Sequence, residues 1–87
     1  MSCKIKFALF ESRTEYLTAN QMNYLRAVAD GISSGLSSAN VIGKYKLGNS
    51  ANVPAAAKVL KEKDFVQESD KKVTLTDPVM ALWLKSL

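Results

Sequence analysis

The sequence predicts an α+β domain, mainly helical, in which a series of capped helices leads into a two-stranded β-hairpin. Three observations predict it. A capping box opens one helix at Thr18, a tight turn around Leu47-Gly48 separates two more, and the hydrophobic period drops from about 3.6 to 2 after Lys63. The chain has 87 residues, 47% hydrophobic and 23% charged, which is the size and composition of one globular domain rather than of a disordered segment.

The first segment, residues 1–16, holds a short helix from about Lys6 to Tyr16 and reads as the end of something larger upstream. Its large side chains Phe7, Leu9, Phe10 and Tyr16 are expected to pack on the body of the domain or on that upstream neighbour. Residues 17–87 read as one unit. In Thr18-Ala19-Asn20-Gln21 the Thr18 hydroxyl and the Gln21 side chain satisfy free amides of a first turn, and Leu17 with Met22 has the spacing of a hydrophobic staple. Met22, Leu25, Val28, Ala29 and Ile32 recur at helical spacing, and Gly31 suits a left-handed stop, so a helix is expected from Ala19 to Asp30.

A serine-rich connector follows, with Ser37 or Ser38 as the next N-cap. The short helix after it, Ala39 to Tyr45, turns Val41, Ile42 and Tyr45 inward. Lys46 to Asn49 is a tight turn in which Gly48 takes a positive φ and Leu47 plugs the core. Ser50 is expected to cap a helix from Ala51 to Lys63, whose Val53, Ala56, Ala57 and Leu60 form an apolar stripe. Pro54 is tolerable there because first-turn amides have few helical partners.

Phe65 to Glu68 and Val73 to Thr76 are short strand-like runs, and Ser69 to Lys72 is a polar four-residue turn between them. Asp77-Pro78 reads as an N-cap followed by proline at the first helical position, and Val79, Leu82 and Trp83 give the closing helix its buried side. Helix, short helix, tight turn, helix, hairpin: that order is the winged helix-turn-helix layout.

Composition narrows the chemistry. There is no histidine and only one cysteine, Cys3, which excludes histidine triads, an internal disulfide and Cys/His zinc sites; no metal is expected. The acidic residues Asp64, Glu68, Asp70 and Asp77 stand beside no histidine or glycine-rich loop, so the chain is expected to be non-catalytic. The apolar run from Phe7 to Phe10 is shorter than a signal-peptide core, and no stretch approaches a membrane span, so the expected address is cytoplasmic without membrane contact. Net charge is +4, which permits a polyanionic partner without demanding one.

Leu17 to Gln21 leading to Tyr24-Leu25-Arg26-Ala27 and Asp30-Gly31, the run from Lys44 to Val53, and the ending Leu75-Thr76-Asp77-Pro78-Val79 with Leu82-Trp83 resemble the C-terminal winged-helix domain of archaeal-type, AAA-like P-loop ATPases. The resemblance covers residues 17–84. It implies a nucleotide-binding domain upstream, with ATP as a cofactor of that parent protein and not of this chain. The residues here agree with the second half of that statement. The one Gly-Lys pair, Gly43-Lys44, has Ser38 where a P-loop needs its first glycine and Tyr45 where it needs Ser or Thr.

Two partner classes follow. The first is double-stranded DNA, held weakly and mainly through its phosphates by Lys46, Ser50, Asn52, Lys58, Lys71 and Lys72, with Lys44 beside them. The helix from Ala51 to Lys63 is a poor base reader: it leaves Ala51, Ala55, Lys58 and Glu62 outermost and has no arginine for guanine. The alternative is a docking module that meets the upstream ATPase domain, or another copy of itself, through an apolar patch containing Tyr24 and Trp83. Core packing is the competing expectation for these two and for the other aromatic residues.

Overall fold

The computed structural model describes residues 3–36 and 38–86. Within them the order is α1 (Cys3–Thr14), α2 (Ala19–Ala29), α3 (Ala39–Tyr45), α4 (Asn52–Glu62), β1 (Val66–Ser69), β2 (Lys72–Leu75) and α5 (Pro78–Lys85). The α+β winged helix-turn-helix architecture expected from the sequence is therefore the one observed, with helix ends shifted by a few residues.

Local hydrogen bonding accounts for most of those ends. Both arms of the capping box are formed: the Gln21 amide donates to Thr18 Oγ1 at 3.3 Å and the Thr18 amide to Gln21 Oε1 at 2.9 Å. Gly31, at φ +100°, turns the chain out of α2. Ser38 accepts from the Val41 amide and is the N-cap of α3, while the alternative, Ser37, lies outside the described residues. Lys46 ends α3 in the left-handed region at φ 58°, Leu47 is buried and Gly48 sits at φ +86°. A Cβ on Gly48 would come within 2.5 Å of the Asn52 side-chain amide and displace it, while the positive φ is what favours glycine there.

Ser50 does not cap α4. The amides of Ala51 and Asn52 donate instead to Asn49 Oδ1, at 3.0 and 3.2 Å. An Asx side chain reaches amides two and three residues ahead, and here it leaves the Ser50 side chain exposed. The hairpin turn is tighter than expected. Ser69 and Lys72 form the last rung of the antiparallel ladder, leaving Asp70 and Lys71 as a two-residue turn at φ 52° and 64°. Positive φ at both positions is what a type I′ turn needs to match the twist of its strands.

The core gathers one face of α1, α2, α4 and α5 against the inner face of the hairpin, while α3 buries no residue fully and only leans on it through the half-buried Val41, Ile42 and Tyr45. Leu25 and Ala27 of α2, Leu60 of α4, Phe65, Val66 and Val73 of the hairpin, and Met80, Trp83 and Leu84 of α5 are all buried, with Leu47 beneath them. α1 joins through Phe10, whose ring lies 5.8 Å from that of Trp83, and through Arg13, whose guanidinium stands 4.8 Å over Phe65. Phe7 packs partly against the same core, whereas Leu9 and Tyr16 are 53% and 82% exposed. Asp77 accepts from the Val79 amide and Pro78 opens α5, as expected. The buried side of α5 is different, however: Met80, Trp83 and Leu84 face inward, Val79 is half-buried, and Leu82 is 58% exposed.

Candidate nucleic-acid interface

The wing is held at a set angle to α4 by three contacts. The Phe65 amide donates to Leu60 O at 2.9 Å, continuing the end of α4 into the first strand. Lys61 Nζ stands 2.7 Å from Glu68 Oε1, tying α4 to β1. Thr76 Oγ1 donates to Asp64 O and Phe65 O, which closes the base of the hairpin. A fourth bond, from the Val73 amide to Ser33 O at 2.8 Å, draws the connector between α2 and α3 against the edge of β2.

These constraints open a cleft of about 460 Å³ between α4 and the wing, with Lys58 on one wall and Lys71 on the other. Helix and hairpin thus bring together two of the six residues expected to meet DNA, although 13 positions separate them in the chain. Lys72 is exposed at the next position of the hairpin. Lys46 belongs elsewhere, to a hollow that it shares with Asn23, Arg26, Lys44 and Tyr45. Its carbonyl accepts from the Asn23 side-chain amide at 3.1 Å. Asn52 is half-buried and lines a third hollow with Thr18, Asn20 and Gln21. Its amide group lies over Gly48, a placement that supports the turn and turns it from the outer face of α4. Ser50 is exposed at the start of that helix.

Arg26 was not among the residues expected to meet DNA. It stands beside Lys44 and Lys46 because α2 and α3 pack together, so three cations share one hollow. Its helical position, one residue past the buried Leu25, was the available signal. In the same hollow Tyr45 Oη donates to Asp30 Oδ2 at 2.7 Å, which favours the protonated phenol and raises its pKa. The outer face of α4 is as expected, with Ala51, Pro54, Ala55, Lys58 and Glu62 exposed.

Tyr24 and Trp83, the residues expected on an apolar docking patch, are 2% and 4% exposed. Both are core residues, and the patch they were to form does not exist. Trp83 faces Phe10 because α1 covers α5, and Tyr24 lies under α4 and the wing. Burial, and secondarily the charge of Glu68, pushes the Tyr24 phenol up to about 12. The unfolded chain releases that proton near pH 10, so the folded state holds more protons between about pH 10 and 12 and loses stability as pH rises through that window. Between pH 9 and 12, Tyr24→Phe should therefore lose less stability than the unsubstituted chain. Urea unfolding at the two pH values measures the difference.

Among the described residues no three His, Cys, Asp or Glu side chains gather as metal ligands would, and no helix is long and apolar enough to cross a membrane.

Two capped helices meeting at a glycine turn, followed by a hairpin that packs beside the second of them, define a winged helix domain. The chain belongs to the family described as "probable winged helix domain", whose model matches residues 8–86. No curated protein and no solved structure matches the chain.

Proposed function

We propose that this winged helix module binds double-stranded DNA through its phosphate backbone, with little base readout. One observation carries the reading: Lys58 of α4 and Lys71 of the wing tip flank the same cleft, so helix and wing offer cations to one polyanion. Lys72 beside the tip and Lys46 with Arg26 and Lys44 at the helical turn extend the basic surface. The outer face of α4 supports the absence of readout, because alanine and proline offer no bidentate hydrogen bond to a base edge. The reading includes a parent protein with an upstream P-loop ATPase domain, on the resemblance of residues 17–84, and a cytoplasmic setting, which the single cysteine fits.

Fluorescence anisotropy with a labelled duplex at increasing salt tests it. Affinity should fall linearly on a log–log scale, and Lys58→Glu with Lys71→Glu should weaken binding at least tenfold. The same double substitution should reduce the salt slope by about 2, since each lost phosphate contact removes about 0.9. Absence of binding at low salt would exclude the duplex. The docking alternative would then rest on the exposed Leu9, Tyr16 and Leu82, since Tyr24 and Trp83 are buried.

A further inference from the structure

Small-molecule sites are concave, mostly apolar, and carry a few convergent polar groups; the α4–wing cleft has each of these properties. Its volume, about 460 Å³, falls within the roughly 300–1,000 Å³ of such sites. Leu36, Val53, Ala57 and Val73 supply apolar lining. Tyr24 lines it too, although the residue is 98% buried, and its hydroxyl makes no hydrogen bond to any described residue. That hydroxyl is therefore not sealed in the core but open to the cleft, where it can donate to or accept from an occupant. Glu68 of β1 lines the same cleft.

The charges select the class of occupant. Lys61 and Glu68 neutralise each other at 2.7 Å. Lys58 and Lys71, on opposite walls, have no carboxylate within ion-pair distance among the described residues. Glu62, one turn beyond Lys58, is exposed at the lip, so the three lysines and two glutamates of the cleft leave it net positive. We propose that the cleft binds a small aromatic carboxylate, its ring against Ala57 and Val73, its anionic group between Lys58 and Lys71, and its polar edge facing the Tyr24 hydroxyl. The inference draws on the same two lysines as the duplex reading but does not require that a duplex bind. A ring occupying the space between α4 and the wing would also block a nucleic-acid strand from entering it.

Salicylate is a suitable probe. In amide NMR spectra of the 87-residue chain it should produce saturable shifts confined to Ser33, Gly35, Ala57, Val73 and their neighbours. Tyr24→Phe should weaken binding about fivefold, the loss of one ordinary hydrogen bond. The surface pair Lys58→Glu and Lys71→Glu should weaken it at least tenfold, and so should replacing salicylate by the neutral salicyl alcohol. Ala57→Phe should fill the cleft and abolish binding while the spectrum stays dispersed. If the Phe variant does not fold, the two glutamate substitutions decide alone. Shifts that do not saturate, that spread over all exposed lysines, or that persist unchanged in the double glutamate variant would overturn the proposal. No DNA enters this experiment, so failure of duplex binding leaves its outcome untouched.

Discussion

Truncating Trp83 to alanine is expected to cost the domain about 3–5 kcal/mol, the usual loss for a buried tryptophan. The indole is 4% exposed, faces Phe10 of α1 at 5.8 Å, and lies on the side of α5 that packs against α2. A domain of this size commonly has little more than 5–10 kcal/mol in total, so the variant should melt tens of degrees lower or be unfolded at 37 °C. Leu82→Ala is the matching control. Its side chain is 58% exposed one residue away, and its loss should stay within about 0.5 kcal/mol. Thermal unfolding of the pair followed by circular dichroism separates the two orientations of α5. Equal costs, or a larger cost at Leu82, would mean that the helix presents a different face to the core. The same result would bear on the docking alternative, because a loss of function in Trp83→Ala is expected to follow from unfolding rather than from a lost contact with a partner.

Leu60→Ala should be nearly as damaging, at about 3–4 kcal/mol. Leu60 has no exposed surface, and its carbonyl accepts from the Phe65 amide where α4 passes into the hairpin. Deleting its isobutyl group leaves a cavity in the core where α4 packs against α2 and β1, and such a site can collapse only by moving α4 against them. The urea midpoint should fall while the slope of the unfolding transition stays unchanged, as for a loss of native packing without a change in the surface exposed on unfolding. A cost below about 1 kcal/mol would show that the α4–wing junction relaxes freely, and the cleft beside it would then have no fixed shape.

The features that could be read directly from residue order are those made within three or four residues. The Thr18–Gln21 capping box, the Ser38 cap, the Gly48 turn and the Asp77-Pro78 helix start each depend on a side chain reaching an amide a few positions away, or on a φ that few residues tolerate. The inward stripe of α4 was equally legible, because alanine, valine and leucine there alternate with lysine and glutamate. Periodicity failed where it had nothing to contrast. Val79 to Leu84 is an unbroken apolar run, so Val79-Leu82-Trp83 and Met80-Trp83-Leu84 are equally good stripes, and only the surfaces of α1 and α2 selected the second. Ser50 was the expected cap, but the path of the turn placed Asn49 over the free amides instead.

The basic cleft belongs to the second kind. Lys58, Lys71 and Tyr24 meet there because one ion pair, one hydrogen bond from the Val73 amide to the Ser33 carbonyl and the packing of Leu60 hold α4, the connector and the wing at a fixed separation. Residue order determined the class of fold and the positions of its turns, since short-range hydrogen bonds and backbone sterics act wherever those residues occur. Which aromatics are core, which way α5 faces, and where two lysines share a wall depended on contacts between segments far apart in the chain, and such contacts exist only once the whole domain has packed.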